Sequence, residues 1–375
     1  MTRRLTVLPA REVTEGAVRA ALAGTAPLAV LPSGPPAVVG AAREVLRPQV
    51  PLESGADVVV VTSGSTGGGR GVLLPAAALQ ASAAATLDRL GGPGSWLLAL
   101  PVSAIAGLQV ICRSVLAGRP ATVLGDGEPL AAAVGRLPAG RRYTALVPTQ
   151  LRRHLDAEPA ALRAFDAVLV GGAATDPVLL ARAREAGVAV VTTYGMTETA
   201  GGCVYDGLPL DGVRVRVADG PEPGGIELAG PVLALGYRLD PAATEAAFRG
   251  GWFATRDAGT LDGDGRLTVH GRLDDVVVSG GVNVAPQAVE AALREHPEVA
   301  DVVVFGRPDE EWGQRVVAAV VPRAGVEPAL PALRAWVAER LGAAAAPREL
   351  HVVPAVPLLH SGKPDRRAVA REVLR

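Results

Sequence analysis

The stretch Val58-Val-Val-Val-Thr-Ser-Gly-Ser-Thr-Gly-Gly-Gly-Arg-Gly71 decides the fold. Four consecutive valines read as a strand buried on both faces. They run directly into Thr62, Ser63, Gly64, Ser65, Thr66, Gly67, then two more glycines, Arg70 and Gly71. Glycine lets successive backbone N–H groups turn toward one concavity, hydroxyls add donors, and a cation offsets phosphate charge. The stretch therefore reads as a polyphosphate cradle. The competing reading, a flexible Gly/Ser linker, sits poorly behind a buried strand. It is not the Walker pattern, which closes with lysine and Ser/Thr.

Other apolar runs end in the same way. Trp96 to Leu100 stops at Pro101, Ala167 to Val170 at Gly171-Gly172, and Val188 to Val191 at TTYG. Between them lie helical segments at Ala76 to Leu90, Ala106 to Ala117, Thr149 to Leu155 and Pro177 to Ala186. Buried strands alternating with helices predict an α/β fold with mainly parallel sheets, with ligands at the carboxyl ends of the strands. From about residue 208 to 273 the texture changes to short alternating runs (VRVRV, GIELAG, RLTVH) broken by Gly, Pro and Asp. These predict antiparallel hairpins, a β-rich subdomain or small barrel. The final segment reads helix (Pro286 to Glu295), strand (Val299 to Phe305), strand (Arg315 to Val321), helix (Pro331 to Leu341) and an extended tail. The expected organisation is an N-terminal domain over 1–273 and a small α+β domain over 274–375, with the boundary at Leu273 and Asp274.

Composition narrows the function classes. The formal net charge is -1 with no charged tail, so nothing calls for nucleic acid. No apolar run reaches the roughly 20 residues that membrane insertion requires, and the start does not read as a secretory signal. Cys112 and Cys203 form no CxxC pair, and the five histidines lack metal-ligand spacing. A cytoplasmic protein without a structural metal is expected. Aromatics make up only 3%, so the core must be built from Val, Leu and Ala. Of 37 Lys and Arg residues, only Lys363, in LLHSGKPDRRAV, is lysine. Either it is a chance survivor, or its position needs a compact ammonium that a planar guanidinium cannot replace.

The loop at Thr62 resembles the signature TSGSTGxPKG of the adenylate-forming superfamily, which comprises acyl-CoA synthetases, peptide-synthetase adenylation domains and luciferases. It departs at Gly69-Arg70, where the signature has Pro-Lys. Further matches follow in order. TTYGMTET, Thr192 to Thr199, resembles YGxTE. The likeness implies that Tyr194 stacks on adenine with Gly195 and Met196 beside it. It also implies that Thr197 touches the α-phosphate and Glu198 binds Mg2+. An aromatic face suits a base, and a carboxylate suits a hard cation carrying phosphates. Gly171, Gly172 and Ala173 resemble the loop against the adenine ring. Asp257, in GWFATRDAG, and Arg272, in GRLDD, match residues that reach the ribose, and Asp274 falls on the hinge position. SGGVNVAP, with the sole asparagine Asn283, resembles GGxNxxP, which assigns Gly280 and Gly281 to the tunnel for a thiol. SGKPDR resembles the tail motif around the adenylation lysine, which assigns that role to Lys363.

The resemblance implies a two-step reaction that uses ATP, Mg2+ and CoA. A carboxylate attacks the α-phosphorus, pyrophosphate leaves, the C-terminal domain rotates about its hinge, and the thiol displaces AMP. The short segment before the loop, together with stretches such as YTALVPTQLRRHL and VLVGGAATDPVLLARAREAGV, resembles the o-succinylbenzoate–CoA ligases of menaquinone biosynthesis, notably the actinobacterial type. Arg113 lies in the apolar stretch Ile105 to Leu116, where a cation needs a partner. By likeness it matches the arginine that pairs with the substrate's non-reacting carboxylate, which implies a dicarboxylic acid. Its other reading is an arginine on the helix's solvent face. The histidine of the neighbouring PLxHxxG motif falls on Ala104. Another acyl- or aryl-CoA ligase, a stand-alone adenylating enzyme and a non-catalytic adenylate-binding homologue stay open. So does the assembly, for which a homodimer is the candidate.

Overall fold

A computed structural model describes residues 3–62, 69–218, 223–357 and 366–373. The four valines form the strand Val58–Thr62, with Val58 to Val60 buried. It is the middle strand of a five-stranded sheet, ordered Thr6–Pro9, Leu28–Leu31, Val58–Thr62, Arg70–Leu74 and Gly236–Tyr237. The first three strands pair in parallel and the last two turn antiparallel. The chain thus leaves the valine strand through a hairpin, with Thr62 opposite Arg70. The Thr62 hydroxyl donates to the Arg70 carbonyl at 3.3 Å. A Cβ at Gly69 would collide with the Thr62 carbonyl oxygen, so this closure requires glycine where the signature has proline.

A second sheet of seven strands runs Leu208–Pro209, Gly201–Tyr205, Val190–Met196, Ala167–Val170, Arg142–Leu146, Ser95–Leu98 and Thr122–Val123. The last five are parallel, and the first two fold back antiparallel. Helices Ala76–Arg89 and Ile105–Ala117 share one buried cluster with strands of both sheets. Gly107 to Ser114 are all buried, as expected of a helix enclosed on every side. The far face of the second sheet is covered by Pro148–Ala157 and Pro177–Glu185 through Leu151, Leu155 and Leu179.

The 208–273 stretch is β-rich and antiparallel as expected, and departs only in closure and extent. Its strands Arg214–Val217, Gly224–Ala229, Trp252–Leu261, Phe248–Arg249 and Leu267–Arg272 form an antiparallel sheet with open order, not a barrel. Two of its pieces belong elsewhere, because Leu208–Pro209 edges the second sheet and Gly236–Tyr237 edges the first. Strands of two residues carry no period of their own, and only distant partners define them.

The C-terminal part builds one sheet from Val277–Ser279, Val282–Val284, Val299–Asp309, Gly313–Pro322 and Glu349–Val352. Alternate residues face opposite ways along a strand. Val302, Val304, Val316 and Val320 pack with Val289, Leu293, Leu333 and Val337 of helices Pro286–Arg294 and Leu330–Leu341. Val303, Phe305 and Val317 pack on the other side with Val369. The tail is not simply extended, because Arg366–Val373 is a helix. Arg366 anchors it by donating to both carboxylate oxygens of Glu290, at 2.6 and 2.7 Å. Among the described residues no helix is long and apolar enough to cross a membrane.

Glu158 shows how one acid fastens two segments. It accepts from the first N–H groups of helix Leu130–Gly135, at Leu130 and Ala131, both at 2.9 Å. The Ala131 and then the Leu130 N–H hold its carboxyl below the usual carboxylate range. A depressed folded-state pKa gives stability that is present above the unfolded value and lost as pH falls through the folded one. Glu158→Gln should lower stability near neutral pH, by less than about 1 kcal/mol because solvent screens this carboxylate. The urea midpoints of the two proteins should converge in acid, and a constant gap would refute the charge-assisted cap.

Candidate active site

TTYGMTET spans the end of strand Val190–Met196 and a 3-10 turn, Thr197–Thr199. The chain then returns through Gly201–Tyr205, so the motif is a β-hairpin. Gly195 makes the hairpin this tight, since a Cβ there would strike the Gly201 carbonyl oxygen. Thr199 ties the turn by accepting from Met196 N at 3.0 Å and donating to Gly201 O at 2.8 Å. Thr197 is buried within it, and Glu198 is partly buried beside it.

Two side-chain chains leave this hairpin. In the first, the Tyr194 hydroxyl donates to Asp257 at 2.9 Å. Burial, then the Asp257 carboxylate, pushes that phenol up. Asp257 sits opposite Arg272 in the pairing of Trp252–Leu261 with Leu267–Arg272, and their side chains approach to 3.4 Å. Arg272 also lies 3.8 Å from Asp274, which Arg256 meets at 3.3 Å. Asp274 is in the 3-10 turn Leu273–Asp275, on the connection to the C-terminal sheet.

In the second, the Tyr237 hydroxyl donates to Glu198 at 3.0 Å, and the Arg70 guanidinium lies over the Tyr237 ring at 5.1 Å. Burial raises the Glu198 pKa. Its own backbone N–H, Tyr237, and the charges of Arg70 and Arg272 oppose that rise. Arg70 and Arg272 are distant in sequence, yet both act on one carboxylate. Gly71 is fixed by its carbonyl, which accepts from Arg238 N at 2.7 Å.

Gly171, Gly172 and Ala173 follow the neighbouring parallel strand, and Gly171 lies against Thr193. The structure thus gathers Arg70, Gly171, Tyr194, Glu198, Asp257 and Arg272 around the carboxyl ends of two parallel strands. Ser63, Gly64, Ser65, Thr66, Gly67 and Lys363 lie outside the described residues.

Arg113 is set apart from this group. It is 3% exposed, so the solvent-face reading is wrong: its helix is enclosed rather than half-covered. One guanidinium nitrogen donates to the Tyr205 hydroxyl at 3.4 Å, and the group lies 4.9 Å from the Trp96 ring centre. Nε has no hydrogen-bond partner, and no acid pairs with Arg113 among the described residues. In the preceding turn Gln109 donates to the Leu79 and Ala200 carbonyls, and its own oxygen is left unbonded. Burial pushes the adjacent Cys112 thiol up to about 12 against the pull of Arg113. Ala104 caps the helix without a side-chain hydrogen bond.

Gly280 and Gly281 form the turn between Val277–Ser279 and Val282–Val284. They line an open surface depression with Val278, Trp312 and Gln314. The Arg348 guanidinium covers the Trp312 ring at 3.5 Å. Sequence reasoning missed Trp312, Arg348 and Tyr237. A tryptophan in a chain with 3% aromatics was the available signal for the first.

No group of three or more His, Cys, Asp or Glu able to hold a metal occurs among the described residues. Glu198 alone suits a Mg2+ that arrives with phosphates, since that ion usually takes one or two carboxylates and keeps its other ligands from substrate and water.

Residues 14–238 match the family model for AMP-binding enzymes, and residues 288–363 match that for the AMP-binding enzyme C-terminal domain. A probable 2-succinylbenzoate–CoA ligase of Mycobacterium tuberculosis is 50% identical over 366 residues, covering 95% of this chain and 94% of that one. The 2-succinylbenzoate–CoA ligase of Geobacillus kaustophilus is 34% identical, covering 89% of this chain and 74% of that one. Among solved structures, the o-succinylbenzoate CoA synthetase of Bacillus subtilis in complex with its acyl-adenylate intermediate is similar, with a TM-score of 0.78 and 26% identity. The match covers 97% of this chain and 82% of that one.

Proposed function

The chain belongs to the AMP-binding enzyme family, and on that premise we propose that it is an AMP-forming acid–thiol ligase that converts 2-succinylbenzoate to its CoA thioester, a step of menaquinone biosynthesis. A carboxylate is a poor electrophile because its oxygen leaves badly. Attack of that oxygen on the α-phosphorus of ATP gives an acyl-adenylate and releases pyrophosphate. Catalysis is then mainly positioning and charge neutralisation.

The chain's own residues divide the work. Tyr194 offers an aromatic face for adenine, while Asp257 and Arg272 take the ribose. Thr197 and the loop from Thr62 to Gly71, with Arg70, take the phosphates. Glu198 would hold the Mg2+ that neutralises them. Lys363 would bridge the attacking carboxylate and the α-phosphate. In the second step the thiol reaches the acyl carbon past Gly280 and Gly281, which line an open depression beside Trp312. Asp274 serves as the hinge between the steps. Its ion pairs with Arg256 and Arg272 are exposed and weak enough to exchange.

The observation that carries the choice of acid is the enclosed guanidinium of Arg113, which meets no carboxylate among the described residues. A dicarboxylic acid supplies one. Ala104 favours a second reading, another acyl- or aryl-CoA ligase, because it removes an imidazole that relatives of this type carry near the reacting group.

Pyrophosphate release with a panel of acids, with and without CoA, tests both. Turnover of 2-succinylbenzoate should exceed that of aromatic monocarboxylates by about a hundredfold, the scale of one buried charge pair. Turnover of monocarboxylates without 2-succinylbenzoate would sink the assignment. No turnover with any acid would favour a non-catalytic adenylate-binding protein.

A further inference from the structure

Tyr237 has no role in the reading above, yet it touches both groups assigned to the phosphate end of the nucleotide. Its hydroxyl meets Glu198 at 3.0 Å, and its ring carries Arg70 at 5.1 Å.

The residue is held rigidly. Its strand, Gly236–Tyr237, pairs with Arg70–Leu74, so Tyr237 lies opposite Val72, two residues from Arg70. Its backbone N–H donates to the Thr244 hydroxyl at 2.9 Å, and Phe248 meets its ring edge-on at 5.9 Å. The next residue, Arg238, is an anchor. Its side chain is fully enclosed, donates to the carbonyls of Leu46, Arg47 and Val50, and pairs with Glu53 at 2.6 Å. The tyrosine itself is only 7% exposed. Arg70, by contrast, is exposed.

An arginine at position 70 is also explained. A flat, weakly hydrated guanidinium stacks on an aromatic face better than an ammonium does. We propose that Tyr237 is a positioning residue for the nucleotide's phosphates: its hydroxyl fixes the Glu198 carboxylate, and its ring holds Arg70 within reach of it. One immobile side chain thus sets the spacing between the metal-directed anion and the phosphate-directed cation. The proposal rests on the nucleotide-binding reading of this site.

The two functions of Tyr237 separate cleanly. Tyr237→Phe keeps the ring and loses the hydroxyl, while Tyr237→Leu loses both. The test is calorimetric binding of ATP to the full chain without any acid, in magnesium and in chelator. Tyr237→Phe should weaken binding about tenfold in magnesium, the worth of one hydrogen bond to a charged group, and leave binding in chelator unchanged. Tyr237→Leu should weaken binding in both. Arg70→Lys should cost severalfold in the parent chain and nothing further in Tyr237→Leu, since contacting residues couple.

Unchanged magnesium-dependent affinity in Tyr237→Phe overturns the hydroxyl's role. Additive losses for Arg70→Lys and Tyr237→Leu overturn the ring's role. If the parent chain binds ATP under neither condition, the nucleotide-site reading fails and the proposal fails with it. The phenylalanine variant is isosteric, and a thermal melt matching the parent confirms that its packing survives.

Discussion

Lys363→Arg should slow ATP-dependent pyrophosphate release by about a thousandfold, the loss seen when one preorganised donor at a developing charge is misplaced. The argument begins from the chain's own habits. Arginine fills every other cationic position, including Arg70 beside Glu198 and Tyr237. A chain that accepts arginine there shows that charge alone does not demand lysine. Bridging an attacking carboxylate and a phosphorus centre demands more than charge. An ammonium is a point donor that can face two oxygens on different groups. A guanidinium is a broad fork that prefers two oxygens of one group. The substitution should leave thioester formation from a supplied acyl-adenylate within about threefold of the parent, because that step does not route through the lysine. Separate assays of the two half-reactions decide the matter. Near-normal adenylation in the variant would return Lys363 to a chance survivor.

Arg113→Met should lower kcat/KM for 2-succinylbenzoate by about a hundredfold or more and leave aromatic monocarboxylates within about threefold. A buried cation without an anion is costly, and a substrate carboxylate relieves that cost on binding. The same reasoning predicts an unusual stability result. Removing a buried, unpaired charge in favour of an apolar chain of similar length is often neutral or stabilising. The variant should therefore melt no lower than the parent, and the acid should raise the parent's melting temperature but not the variant's. Equal losses across all acids, or a large fall in melting temperature, would reduce Arg113 to a packing residue held by Trp96 and Tyr205.

The nucleotide end was the most legible part of the chain. Tyr194, Glu198, Asp257 and Arg272 stand in short motifs whose proposed roles come from the family resemblance, and their side chains meet in two chains that leave one hairpin, Tyr194–Asp257–Arg272 and Glu198–Tyr237. The alternation of valine runs with helices likewise pointed to parallel sheets. Local pattern could not say that the valine strand turns back as a hairpin, because Arg70–Leu74 is a short apolar run like its neighbours. It could not find Gly236–Tyr237 either, whose two residues become a strand only against that hairpin. Tyr237 was missed for the same reason. Its importance lies in what it touches, including a glutamate 39 positions away along the chain. The surroundings of Arg113 were ambiguous because helix Ile105–Ala117 has no polar face to orient it. Packing on all sides decided what periodicity left open.

The stacking of arginine on tryptophan has a practical corollary. All four tryptophans lie beneath a guanidinium: Trp96 under Arg113, Trp252 under Arg214 and Arg216, Trp312 under Arg348, and Trp336 under Arg340. An indole is a fluorophore whose emission follows nearby charge. Two of these four stand at opposite ends of the proposed chemistry, Trp96 beside the buried cation and Trp312 at the depression next to Gly280. On the proposed roles of Arg113 and Gly280, Trp96 would report the arrival of the acid and Trp312 that of the thiol. With the other tryptophans replaced, the two events can be timed separately in a single unlabelled chain.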